Sequence, residues 1–279
     1  MEFEKLSLHP HLLTGIARAG YTIPTPIQAR SIPVILQGRD VLGIAQTGTG
    51  KTAAFALPIL QNLLGGPKGR LRALILAPTR ELAEQIHESF ASFSGPTRLR
   101  SFTVYGGVGM QPQIEKFRKG FEIAVACPGR LLDHLERGTA NLAGIETLVL
   151  DEADRMFDMG FLPGIRKIIQ RLPVKRQTLL FSATMPDEIR HLAHEVLHQP
   201  QTIRVAGEVM ADTVSHALYP VEQDKKTALL LSLLTTTETG SVLVFTRTKH
   251  RASKVAEKLA REGHKATALQ GNLSQNRRQ

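Results

Sequence analysis

Cysteine is nearly missing from this 279-residue chain: Cys127 is the only one. A lone thiol excludes an intrachain disulfide framework, and with it the small cross-linked secreted folds. No apolar run approaches the ~18 residues that suggest a membrane span, so no membrane partner is expected. Met1-Glu2-Phe3-Glu4-Lys5 has neither the basic start nor the apolar core of a signal peptide. A cytoplasmic location is the resulting expectation. Internal repeats, coiled-coil heptads and low-complexity tracts are missing too. What remains is an ordinary globular composition, 42% apolar, in a length that suits one full domain and part of another.

Acidic residues are in deficit. Against 35 Lys and Arg stand 25 Asp and Glu, giving a formal net charge of +10 and a pI near 10.0. Such a balance favours an anionic partner, nucleic acid above all. The excess is concentrated late: from Arg247 to Arg278 there are nine Lys or Arg against two Glu. For Lys254, Lys258 and Arg261 alone, a solvated helix face explains the pattern equally well.

What the chain does have is Ala45-Gln46-Thr47-Gly48-Thr49-Gly50-Lys51-Thr52, placed after an apolar strand, Val41 to Ile44, and before a helix, Ala53 to Leu64. Strand, glycine-rich turn, Gly-Lys-Thr and helix form the P-loop context. Gly48 and Gly50 let backbone N–H groups turn inward around a phosphate. The helix start adds its positive dipole end. Lys51 supplies a cation for the β- and γ-phosphates, and Thr52 a hydroxyl for Mg²⁺. Ala45 replaces the usual first glycine. A bare turn without a ligand is the bland alternative, disfavoured by Gly-Lys-Thr directly after a strand.

Other motifs fall at the carboxyl ends of further strands. Upstream, Leu12, Leu13 and Ile16 lie at helical spacing, with Gly20 as the cap, and a second helix begins near Gln28 after the Pro24 and Pro26 loop. A Gln amide can donate to and accept from an adenine edge. Ala73 to Ala77 ends in Pro78-Thr79-Arg80, with Thr79 as an N-cap. Phe102 to Tyr105 stops at Gly106-Gly107, either a plain turn or a close approach for a sugar–phosphate backbone. Ile123 to Ala126 leads to Cys127-Pro128-Gly129-Arg130, with a helix from about Leu131. Leu148 to Leu150 runs into Asp151-Glu152-Ala153-Asp154. Asp151 suits Mg²⁺, and Glu152 suits the orientation and deprotonation of a water; capping is the plainer role for Asp154. Thr178 to Phe181 ends at Ser182-Ala183-Thr184, whose two hydroxyls either bond back to the acidic loop or are the ordinary hydroxyls of a strand end, and Pro186 opens the next helix. Alternating strands and helices predict an α/β fold over residues 1–206, a mainly parallel sheet covered by helices on both faces. Every motif then shares one rim.

Residues 207–213 are a polar connector. Beyond it, 214–279 reads as the incomplete start of a second α/β unit. Strands are expected at Val214–Tyr219, Val242–Phe245 and Ala266–Leu269, with helices at Lys225–Leu234 and Lys249–Arg261. A half-built sheet of three strands would leave an edge open to pairing between chains.

Together these motifs resemble the DEAD-box ATP-dependent RNA helicases of bacterial type, over essentially the whole chain. The resemblance implies two RecA-like P-loop NTPase domains, the second incomplete here, with ATP and Mg²⁺ as cofactors. Gln28 would read adenine, Phe3 would pack on the base, and Tyr21 would belong to the same site. Ser182 and Thr184 would couple ATP hydrolysis to duplex opening. Pro78, Thr79, Arg80, Gly106, Gly107, Pro128, Gly129 and Arg130 would contact the RNA backbone, joined from the second unit by Thr246, Arg247, Gly271, Gln275 and Arg278. Cys127 departs from the family's Thr; a thiol is a weak donor, so one phosphate contact is lost or passes to its backbone N–H. The family's arginine fingers, worth ~10³–10⁵ in rate, lie in motifs later than those found here, so this chain is expected to bind nucleotide but turn it over poorly. A nucleotide-responsive RNA clamp is the rival reading; a DNA translocase or a small-molecule P-loop kinase fits these motifs less well.

Overall fold

The computed structural model describes residues 2–205, 215–237, 240–273 and 275–278. The chain divides into two compact units, Met1–Glu208 and Val209–Gln279. The expected connector, 207–213, lies outside the described residues.

Seven strands form in the first unit: β1 (Val41–Ile44), β2 (Ala73–Leu76), β3 (Ser101–Val104), β4 (Ile123–Ala126), β5 (Thr147–Leu150), β6 (Gln177–Ser182) and β7 (Gln201–Arg204). All pair in parallel, in the order β3-β4-β2-β5-β6-β1-β7. A parallel sheet needs a crossover after each strand, and helices supply it. While α1 (Pro10–Arg18) and α2 (Pro26–Leu36) precede β1, the crossovers are α3 (Lys51–Leu64), α4 (Arg80–Ser94), α5 (Gln111–Arg118), α6 (Pro128–Glu136), α7 (Ala153–Asp158), α8 (Leu162–Ile169) and α9 (Asp187–Val196).

β2 and β4 are apolar at every position because both of their faces are covered. Within β2, Ala73 and Ile75 belong to one core, while Leu74 and Leu76 belong to the other. The first core holds Leu12, Ile27, Phe55 and Phe90 from α1 to α4; the second holds Leu131, Met156, Ile165 and Ile189 from α6 to α9. Burial of a large aliphatic or aromatic side chain contributes roughly 1.5–3 kcal/mol, so both helix layers are held firmly. Pairing continues one residue beyond several strands. Ala45 N donates to Ser182 O at 3.1 Å, Asp151 N to Leu76 O at 3.0 Å and Cys127 N to Val104 O at 2.8 Å. Each motif loop therefore leaves the sheet from an anchored point.

In the second unit α10 (Lys226–Thr236), α11 (Lys249–Arg261) and α12 (Gln275–Arg278) form. The three expected strands do not. Residues 215–219, Val242–Phe245 and Ala266–Leu269 carry no ladder, and Phe245 is 88% exposed; Val214 lies outside the described residues. An apolar run becomes a strand only where another strand satisfies its backbone. Among the described residues of this unit, no such partner is paired with it.

Candidate functional site

The P-loop owes its shape to two glycines. Gly48 (φ 80°) and Gly50 (φ 88°) take left-handed backbone that strains other L-residues, and Gly50 caps α3. The Thr49 hydroxyl donates to Gln46 O at 2.7 Å and closes the turn. Gln46, Thr47 and Gly48 are exposed, and Thr52 is half-buried on the first turn of α3. Lys51 is 6% exposed and donates from Nζ to Ala45 O at 3.0 Å.

Gln28 sits beneath this loop, fully buried. Its Oε1 accepts from Thr25 N at 3.0 Å, and its Nε2 donates to Gly50 O at 3.1 Å. A Cβ at Gly50 would lie 2.3 Å from that Nε2. In this arrangement the amide braces the P-loop. Phe3 is 2% exposed, packed edge-on against Tyr21 at 6.4 Å, and belongs to the core. Tyr21 stays half-exposed, its ring edge-on to Phe93 at 5.5 Å.

The acidic loop follows β5, and the Ser182–Thr184 loop follows its neighbour β6, which in turn borders β1. Adjacent strands lie about 4.8 Å apart, so the three loops meet. Asp154 is the junction. Its Oδ2 accepts from Thr184 N and Thr184 Oγ1, both at 2.8 Å, while its own N donates to Ser182 Oγ at 3.1 Å. Burial pushes the Asp154 carboxyl up, but the Thr184 and Ser182 hydrogen bonds outweigh it and leave the pKa below the ordinary value. Asp151 is 2% exposed, and Glu152 N donates to its Oδ1 at 3.0 Å. Burial pushes the Asp151 carboxyl up to about 6; the Lys51 charge opposes this and the Glu152 charge adds to it. Glu152 takes left-handed backbone (φ 50°), and its carboxylate pairs with Arg155 Nη1 at 3.3 Å. Among the described residues no group of three His, Cys, Asp or Glu forms a metal cage. Mg²⁺ at nucleotide sites is held by one or two side chains together with phosphate, and Thr52 and Asp151 fit that requirement.

The remaining loops leave β2, β4 and β3, the other half of the rim. Thr79 Oγ1 accepts from Leu82 N at 3.2 Å and caps α4. Next to it, Arg80 lies against the glycine pair so closely that a Cβ on Gly107 would be 2.2 Å from its Nη1. From the opposite side Arg130 Nη1 donates to Val108 O at 3.1 Å, and its Nε lies 3.6 Å from Asp133 Oδ2. Two guanidinium groups thus flank Gly106 and Gly107, and Gly129 is exposed beside them. Pro78 and Pro128 are both buried and set the turns that carry Arg80 and Arg130. Cys127 caps α6 with no side-chain bond, and burial raises its thiol to about 12 despite the Arg80 charge. Its N–H is taken by Val104 O, so that group cannot replace a lost phosphate contact.

In the second unit Thr246 Oγ1 donates to Thr248 O at 3.0 Å, and Lys249 Nζ donates to Asn272 Oδ1 at 3.0 Å. That second bond ties the start of α11, next to exposed Arg247, to the loop that carries exposed Gly271. Arg278 is half-buried on α12; the Gln275 side chain lies outside the described residues. Sequence reasoning passed over Gln113, His134 and Arg155, which hold site loops in place. Single polar residues on amphipathic helices carry no local signal.

The model of the DEAD/DEAH box helicase family matches residues 25–192. The chain is 42% identical over 277 residues to the DEAD-box ATP-dependent RNA helicase CshA of Geobacillus kaustophilus, covering 99% of this chain and 59% of that one. It is also 42% identical over 274 residues to the ATP-dependent RNA helicase DeaD of Buchnera aphidicola, covering 98% and 45%. The chain thus spans about half the length of the curated relatives it matches. The crystal structure of a DEAD box protein from the hyperthermophile Methanococcus jannaschii is similar over the whole chain, with 37% identity, a TM-score of 0.70 and 75% of that chain covered. A matching family model over most of the sheet, and a parallel fold whose motif loops meet on one rim, establish that this chain belongs to the DEAD/DEAH box helicase family.

Proposed function

We propose that this chain carries the nucleotide-binding core of an ATP-dependent RNA helicase that separates short duplexes locally, without reading sequence. The observation that carries it is the continuous bonding of the three loops on β1, β6 and β5: Ala45 to Ser182, Ser182 and Thr184 to Asp154. ATP with Mg²⁺, when bound, supplies the anhydride to be cleaved and the charge that polarises it. Lys51 exchanges the Ala45 carbonyl for phosphate oxygens, and the P-loop N–H groups share the remaining charge. Thr52 and Asp151 would hold the metal, Asp151 as its carboxylate. Glu152 orients and deprotonates the attacking water once its carboxylate leaves Arg155. The Asp154 junction passes any movement of the acidic loop to Ser182 and Thr184. On the other half of the rim Thr79, Arg80, Gly106, Gly107, Gly129 and Arg130 bind RNA phosphates and sugars, with Thr246, Arg247, Gly271, Gln275 and Arg278 serving from the second unit. Contacts of this kind position a strand and ignore its bases. The protein acts in the cytoplasm.

The pairing of Glu152 with Arg155 favours a second reading, a nucleotide-responsive RNA clamp with little turnover. Single-turnover ATP hydrolysis with and without RNA separates the two. For the helicase reading, RNA stimulates hydrolysis, and Glu152→Gln loses ~10²–10⁴ in rate while a fluorescent ATP analogue still binds. Equal rates with and without RNA would favour the clamp, and loss of nucleotide binding in Glu152→Gln would remove the assigned role.

A further inference from the structure

Tyr105 to Gly109, the loop that contains the glycine pair, is held from beneath by a buried hydrogen-bonded chain that the reaction does not use. Gln113, on α5, donates from Nε2 to Tyr105 O at 3.2 Å and to Gly109 O at 3.1 Å. Its Oε1 lies 3.3 Å from His134 Nε2, and His134 Nδ1 lies 2.8 Å from Thr139 Oγ1. His134 is fully buried and Gln113 nearly so.

The bonding fixes the hydrogen between Gln113 and His134. Both N–H groups of the Gln113 amide are spent on carbonyls, so its Oε1 can only accept. His134 Nε2 must then carry the ring proton, while Nδ1 faces the Thr139 hydroxyl, which also lies 3.1 Å from His134 O. Burial pushes the His134 pKa down, with the Arg130 charge pushing the same way, which keeps the ring neutral with a single N–H. Arg130 and His134 are four residues apart, on one face of α6. That helix therefore holds the loop twice: directly, Arg130 to Val108 O at 3.1 Å, and through His134 and Gln113 to the carbonyls of Tyr105 and Gly109. In a trans peptide, N–H and C=O point in opposite directions, and the chain has no cis peptide bond. Fixing those three carbonyls thus aims the N–H groups of Gly106, Gly109 and Met110 away from α5 and α6. None of the three finds an acceptor among the described residues.

We propose that Gln113 and His134 are positioning residues for RNA binding: through the carbonyls they hold, they present the N–H groups of the glycine loop to an RNA phosphate. This rests on the reading that the Arg80, Gly107 and Arg130 surface takes RNA. Neither side chain touches the ligand.

The test is the affinity of the full chain for a fluorescein-labelled oligouridylate, followed by anisotropy with a non-hydrolysable ATP analogue present, beside its affinity for that analogue. Gln113→Leu and His134→Leu each strand buried carbonyls or an amide oxygen. Each is expected to weaken RNA binding roughly tenfold, the equivalent of about 1.4 kcal/mol, with nucleotide affinity unchanged. His134→Gln keeps an N–H donor near the place of Nε2 and should stay within about twofold of wild type. A merely structural role would lower both affinities together. Wild-type RNA affinity in Gln113→Leu, or equal damage from His134→Gln and His134→Leu, would overturn the proposal. Arg80→Ala isolates the underlying reading: if it binds RNA like wild type, the surface itself is misassigned, whereas loss in Arg80→Ala with none in Gln113→Leu sinks only the positioning role. Should the leucine variants fail to fold, ¹⁵N-histidine NMR of the wild-type chain decides. The Nε2–H tautomer at His134 is expected, and the Nδ1–H tautomer would break the chain as drawn.

Discussion

Two glycines in one turn share a backbone conformation and differ in their surroundings. Gly48 and Gly50 both have positive φ, but a Cβ at Gly48 meets nothing within 4 Å, while one at Gly50 would drive into Gln28 at 2.3 Å. Gly48→Ala should therefore cost only backbone strain, about 1–2 kcal/mol. Gly50→Ala adds a displaced buried amide, a further roughly 1–3 kcal/mol, and should lose nucleotide affinity as well. Urea unfolding followed by circular dichroism, with titration of a fluorescent nucleotide, checks both; equal losses in the two variants would mean that Gln28 braces nothing. At this scale the sequence reveals chemistry better than exposure. Lys51, Asp151 and Glu152 declare themselves by residue type at fixed spacing. Phe3, Pro78 and Pro128 are buried, which the sequence does not reveal, because whether a side chain faces water depends on elements far along the chain. Gln113 and His134 are invisible for the opposite reason, being ordinary polar residues whose partners sit 21 positions apart.

At the scale of elements, the junction of α7 with the loop after β6 is an assembly whose parts can be removed singly. Thr184→Ala takes away one of two bonds to Asp154 Oδ2 and should cost about 1 kcal/mol, with RNA-stimulated hydrolysis falling further than basal hydrolysis. The Asp154 pKa is depressed from its ordinary 3.8. Its stabilising contribution is hence complete above that value and fades as pH falls through the lower, folded one. The melting temperatures of wild type and Thr184→Ala should differ at pH 7 and draw together only as pH falls below 3.8 toward the lower folded value; a gap that persists below that folded value would show that the bond is not to the ionised carboxylate. The central strands were the legible elements. β1 and β4 begin and end where their apolar runs do, because burial on both faces leaves no polar position inside them. β7 was missed, since it is an edge strand with only Ile203 buried. The helices α2 and α6 start at Pro26 and Pro128, earlier than expected, because proline at a first helical position resembles a loop until its context is seen. The strands expected after residue 214 failed on the same rule that made β1 succeed. An apolar run signals burial only where something stands ready to cover it.

For the whole molecule, the rim has a division of labour written in strand order. The residues proposed for nucleotide leave β1, β6 and β5, and the arginines proposed for RNA leave β2 and β4 on the other half of the sheet. A net charge of +10 adds long-range attraction to those local contacts. Single-stranded RNA binding should accordingly fall with salt, log affinity dropping by about 0.7 per decade of salt for each phosphate neutralised. Arg80→Ala should flatten that slope by about one such unit, whereas Lys51→Ala should leave it unchanged. Anisotropy titrations between low and moderate salt measure both, and a flat profile for the wild-type chain would rule out phosphate contacts as the source of affinity.

The place of β1 in the sheet also sets an order of events at the ribosome. Both neighbours of this strand, β6 and β7, come from residues 177–204, more than a hundred positions after the P-loop has been made. Until that late stretch emerges, the segment destined to grip a triphosphate has no ladder on either side, and long loops must close before it gains one. On the proposed reading, a growing chain should not take up nucleotide early; competence should arrive with the last strands of its first unit, as a by-product of finishing the sheet.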